Sequence, residues 1–147
     1  MTRISRSAGF WIAFALVLSL FCAATLPADT RLSDKDLEQR IKNLNSDSKK
    51  FQSSFNNSIS KSSIRKTTQE KDAKKLADNF TKSSKALYDY FRKTQKSDPY
   101  IQNTLDLARQ LDKLQSSVQL DSTTSSLWTK VRIELNDIAN AFHVPVQ

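Results

Sequence analysis

The chain has 147 residues, a formal charge of +8, and one each of glycine, cysteine, methionine and histidine. Gly9, Cys22 and Met1 all fall within the first 28 residues, so the 119 that follow contain none of the three. For that stretch this excludes Gly-rich phosphate cradles and nucleophile elbows, whose backbone only glycine tolerates cheaply, and it excludes disulfide frameworks, thiolate metal sites and thiol nucleophiles.

Arg3 and Arg6 precede a nearly unbroken apolar run from Phe10 to Leu26, and small residues follow. This is the three-part pattern of a secretory signal peptide. Cleavage after Ala24 reads Cys22-Ala23-Ala24 and cleavage after Ala28 reads Leu26-Pro27-Ala28. The second is preferred, because Pro27 ends the apolar helix and Asp29 opens the polar chain. A lipidation signal at Cys22 is disfavoured by the bulk of Phe21 before it. The alternative is an uncleaved anchor, since about 17 to 20 apolar residues suffice to cross a bilayer. Either way the positive-inside bias keeps Arg3 and Arg6 in the cytoplasm, so the expected location of the rest is periplasmic or extracellular. Residues 1–28 are therefore expected to be a signal peptide and residues 29–147 one small domain.

Leu37, Ile41, Leu44, Ser48, Phe51, Phe55 and Ile59 are spaced by 4, 3, 4, 3, 4 and 4, one face of a helix of about 25 residues. Ser33 is its expected cap, with Asp34, Asp36 and Glu38 placed where the helix dipole favours negative charge. Thr67-Thr68-Gln69-Glu70 has the form of a capping box and opens a second helix. Its stripe runs through Ala73, Leu76, Ala77, Phe80, Ser84, Leu87 and Phe91, with Tyr88 and Tyr90 beside the seam. Asp98 as cap and Pro99 as first residue start a third helix, whose inward face is Ile101, Leu105, Ala108, Leu111 and Val118, widened by Leu107 and Leu114. After the polar break at residues 121–124, a fourth helix carries Leu127, Trp128, Val131, Leu135, Ile138 and Phe142, and Pro145 marks its end. Four amphipathic helices on short turns predict an all-α, antiparallel up-down-up-down bundle, the first two helices longer than the last two. Ser48 and Ser84 thin its core. Trp128 is expected to be a core anchor.

The stretch from Trp128 through Val131, Arg132, Leu135, Ile138, Ala139 and Phe142 to Val144, preceded by Ala108-Arg109-Gln110-Leu111-Asp112, resembles a group of small exported bacterial proteins of uncharacterised function. They share a helical-bundle body and end in a W-x-x-V/L-R-x-x-L-x-x-I/L-A-x-x-Y-x-V helix; Phe142 stands where tyrosine is usual. The resemblance covers about the last 40 residues. It implies the bundle and export, and it carries no activity.

Charge is uneven: residues 29–98 hold 17 Lys+Arg against 10 Asp+Glu, and residues 99–147 hold 4 against 5. The candidate binding face is therefore the basic side of the first two helices, centred on Lys71, Lys74, Lys75, Lys82, Lys85, Arg92 and Lys93. Such a face suits an anionic envelope component by salt-sensitive attraction, with only peripheral contact to a membrane. Nucleic acid is a weaker fit, since export removes it from the genome and seam aromatics usually belong to a core. No catalytic, metal or cofactor residues are expected. His143 has no partner for a metal, Glu38, Glu70 and Glu134 lack a histidine three residues on, and no oxyanion nest accompanies the serines. The alternative to binding is assembly, in which heptad seams pair with a second copy or another helical protein.

Overall fold

The structure, a computed structural model, describes residues 32–96 and 100–145. The expected signal peptide and the Asp98 and Pro99 helix start lie outside the described residues. Four helices appear in order: α1 (Asp34–Ile59), α2 (Thr68–Thr94), α3 (Tyr100–Ser117) and α4 (Ser122–Ala141). No strand occurs among the described residues.

Side chains at the helix ends explain where each element stops. The Ser33 hydroxyl accepts from the Asp36 amide at 3.2 Å. At the far end of α1 the hydroxyls of Ser60 and Ser62 donate to the Asn56 and Ile59 carbonyls, each at 2.8 Å. Serines that bond back to local backbone compete with helix continuation, and α1 ends where they begin. The Thr67 hydroxyl accepts from the Glu70 amide at 3.3 Å, as a capping box requires. Its reciprocal half is displaced by one residue: the Glu70 carboxylate accepts from the Lys66 amide, while the Thr67 amide donates to Ile64. Lys66 pays for this turn with a left-handed backbone, φ 62°. Gln95 is also left-handed, φ 56°, and its amide closes α2 onto the Phe91 carbonyl at 2.8 Å. The Asp121 carboxylate caps α4 through the Thr124 amide and hydroxyl, at 2.8 and 3.0 Å. The Asp121 amide donates to Ser58 at 3.1 Å, fastening this turn to the end of α1.

The helices form an antiparallel up-down-up-down bundle in which α1 packs along both α2 and α4, α2 also holds α3, and α3 meets α4 only sparsely. Most residues of the predicted stripes form the core: Ile41, Leu44, Phe51, Phe55, Phe80, Leu87, Ile101, Leu111, Leu135 and Ile138 are all fully buried, whereas Leu76, Leu127 and Phe142 are partly buried and pack against it, Phe142 just past the end of α4. Ser48 and Ser84 occupy one layer of it, hydrogen-bonded to each other at 3.1 Å and to their own helices at Leu44 and Phe80. Trp128 fills the interior beyond them, its ring 4.7 Å from Phe51 and 5.4 Å from Phe80. Its indole N–H donates to Asp112 on α3 at 2.7 Å. Arg132 lies 3.5 Å from the other Asp112 oxygen. Trp128, Asp112 and Arg132 thus bridge the one edge where helix backbones stand apart. All three belong to the stretch that carries the resemblance noted above.

Candidate functional site

All seven residues of the predicted basic face lie on α2, and none is buried. Their electrostatic surroundings divide them. Lys74 sits 2.6 Å from Glu70 and donates to Ser60, Lys82 lies 2.7 Å from Asp78, and Lys85 pairs with Asp89. Arg92 lies over the Tyr88 ring at 5.6 Å. Lys71, Lys75 and Lys93 are exposed and form no ion pair among the described residues, though the charge of Lys93 adds to that of Lys85 in lowering Asp89. The hydrogen bond from Lys74, then that from the Lys66 amide, hold Glu70 down to about 2. The hydrogen bond from Lys82 likewise lowers Asp78, and that from Lys85 lowers Asp89.

The turn between α1 and α2 adds Lys61, Arg65 and Lys66, all exposed, whose side chains likewise form no ion pair among the described residues. The helix α1 adds little to the excess, because it carries 5 Lys+Arg against 4 Asp+Glu. Two of its cations are engaged as well: Arg40 meets Asp137 at 3.2 Å and Lys50 meets Asp47 at 2.8 Å. The excess positive charge of the first hairpin therefore concentrates on the outer side of α2 and on the turn that precedes it. The aromatics beside the seam are occupied internally, Tyr90 meeting Tyr100 at 5.0 Å with the rings tilted by 50° and Tyr88 lying under Arg92.

A second charged cluster was not singled out by sequence. Asp47 and Glu134 are each only 3% exposed, facing each other between α1 and α4. Asp47 accepts from Lys50 at one oxygen and meets Lys130 at 2.6 Å with the other. Burial pushes the Asp47 carboxyl up, but the hydrogen bonds and charges of Lys130 and Lys50 outweigh it and leave it below the ordinary range. For Glu134 burial acts first and the Asp47 charge adds to it, raising the carboxyl to about 7. Glu134 Oε2 has no donor among the described residues. The signal in the sequence was weak: Asp47 adjoins the seam position Ser48, and Glu134 adjoins Leu135, one step from each stripe.

A shallow groove of about 420 Å³ opens between the start of α2 and the end of α3, lined by Ile64, Ala73, Leu76, Leu114 and Val118, with Asp72 as its charged wall. His143 is exposed beyond α4 with φ 54°. Among the described residues no group of three or more His, Cys, Asp or Glu is placed to hold a metal ion, and no helix is long and apolar enough to cross a membrane. Comparison with protein-family models, with curated proteins and with solved structures finds no match.

Proposed function

We propose that this chain is an exported, noncatalytic helical-bundle protein of the kind its last helix resembles, and that it binds an anionic component of the cell envelope. The binding surface is the outer side of α2 with the turn before it. The observation that carries this reading is the set Lys61, Arg65, Lys66, Lys71, Lys75 and Lys93, exposed cations with no carboxylate partner among the described residues. Each basic side chain near an anionic surface contributes about 1 kcal/mol, so six together give useful affinity without a shaped pocket. The remaining members of the predicted face, Lys74, Lys82, Lys85 and Arg92, act in support, since local partners already share their charge.

Assembly through heptad seams is the weaker alternative. The four stripes are buried against one another within one chain, and Ile133 is the exposed large hydrophobic among the described residues. The test is the triple change Lys71→Glu, Lys75→Glu and Lys93→Glu, measured by sedimentation with vesicles containing anionic lipid at low salt. Bound protein should fall at least tenfold while helicity by circular dichroism stays unchanged. Undiminished binding by a folded triple variant discards the surface. A melting temperature that rises with protein concentration favours assembly instead.

A further inference from the structure

We propose that the Asp47 and Glu134 carboxyls share one proton across the contact between α1 and α4, which makes the packing of α4 on α1 proton-dependent. The geometry carries the argument. Two acidic residues, each only 3% exposed, are brought together between α1 and α4, because Lys130, one turn before Glu134 on α4, reaches Asp47 on α1 at 2.6 Å. Both Asp47 oxygens already hold a cation, Lys50 at one and Lys130 at the other, so Asp47 is the member that stays ionised. Glu134 Oε2 meets no donor among the described residues. A buried carboxylate with an oxygen that has no donor and with a carboxylate neighbour is costly, whereas a protonated Glu134 carboxyl becomes a donor and no longer repels Asp47.

The surrounding charges do not supply another solution. From α1 the groups that face Glu134 are Asp47 and, more distantly, Arg40, whose guanidinium is paired with Asp137. On α4 itself Lys130 is drawn to Asp47. On the side of α3, Asp112 is engaged with Trp128 and Arg132. The neutral hydroxyl layer of Ser48 and Ser84 lies between α1 and α2.

The sign follows from the proton. Folding raises Glu134 from 4.5 to about 7, so the folded state takes up a proton that the unfolded chain has lost. The associated stability is complete below pH 4.5 and is lost as pH rises through about 7. An exported bundle of this design is tight in an acidified surrounding and looser on the α4 side in an alkaline one. This inference is independent of the binding surface on α2.

The test is a carboxyl carbon NMR titration of the purified protein, paired with thermal melts at pH 5 and pH 8. Glu134 should titrate near 7, and the melting temperature should drop by about 10 °C between the two pH values. Glu134→Gln keeps a donor toward Asp47 without a titrating proton, so its melting temperature should be level across the same range. A Glu134 signal that titrates at the ordinary glutamate value overturns the proposal, as does a drop of equal size in Glu134→Gln. Should that variant fail to fold, the titration of the unmodified protein decides alone.

Discussion

The two charged regions of this molecule use lysine in opposite ways. Between α1 and α4, Lys50 and Lys130 converge on Asp47, and Arg40 meets Asp137. On the outer side of α2 and in the turn before it, six exposed cations have side chains that form no ion pair among the described residues. In the first group Lys130 and Arg40 tie α1 to α4 and Lys50 shares Asp47 from its own helix; the second group forms no ion pair among the described residues. Net charge alone does not separate the two, because a sum over the chain does not say which lysine meets a carboxylate. What separates them is position relative to the seams. A carboxylate one step from a stripe can be buried and draws cations inward, whereas the lysines opposite the stripe of α2 face water.

Trp128 is the core residue on which both regions rest, since its ring touches Phe51 on α1 and Phe80 on α2 and its N–H reaches α3. Trp128→Ala should cost about 3 to 5 kcal/mol by urea unfolding, equally at low and high pH. A loss below about 1 kcal/mol contradicts the packing described.

Asp47→Ala attacks the inner charged region alone. Lys50 and Lys130 keep their ends largely in solvent, so the loss should be about 2 kcal/mol, the value of a charged hydrogen bond rather than of a fully buried ion pair. Asp47 is ionised more readily in the folded state than in the unfolded one. Its contribution is therefore present above the ordinary value of 3.8 and disappears as pH falls below it. The difference in stability between the unmodified protein and Asp47→Ala should shrink below pH 4, and a constant difference down to pH 2 breaks the assignment.

The outer region should be nearly silent in the same assay. The triple glutamate variant of Lys71, Lys75 and Lys93 is expected to change stability by no more than about 0.5 kcal/mol per site, because exposed positions without partners contribute little to the fold. Smaller still is the hydroxyl layer. Replacing Ser48 and Ser84 together by alanine removes both members of a satisfied pair, so stability should hold within about 1 kcal/mol at every pH, which sets a neutral control beside the carboxyl pair.

The architecture was legible because the stripes are long and the punctuation is chemical. Ser33 and Thr67 cap helices where hydrogen-bonding side chains precede apolar periods, the polar break at residues 121–124 holds the Asp121 cap, and most stripe residues from Leu37 to Ile138 are buried. The capping box was legible in kind but not in register, since the partner of Glu70 is the Lys66 amide and only the three-dimensional turn fixes that. The basic face was legible as composition. Its division into paired and unpaired lysines was not, because pairing depends on rotamers and on which carboxylate lies one turn away. The buried pair of Asp47 and Glu134 was hidden for another reason: the two residues are 87 positions apart, and each looks like a surface acid until α4 is laid against α1. Likewise the role of Asp112 appears only when α3 and α4 are brought side by side and Trp128 reaches across.

On the function proposed above, the unpaired cations of α2 and its preceding turn hold the protein to an anionic envelope component. The direct measurement is fractionation of the tagged protein from its own cells, washing the envelope pellet first at low and then at high salt. Retention at low salt and release at high salt are expected, with the triple glutamate variant already soluble at low salt, because contacts between exposed charges are screened within about 10 Å at 0.1 M salt. Unmodified protein found in the soluble fraction at low salt would contradict it.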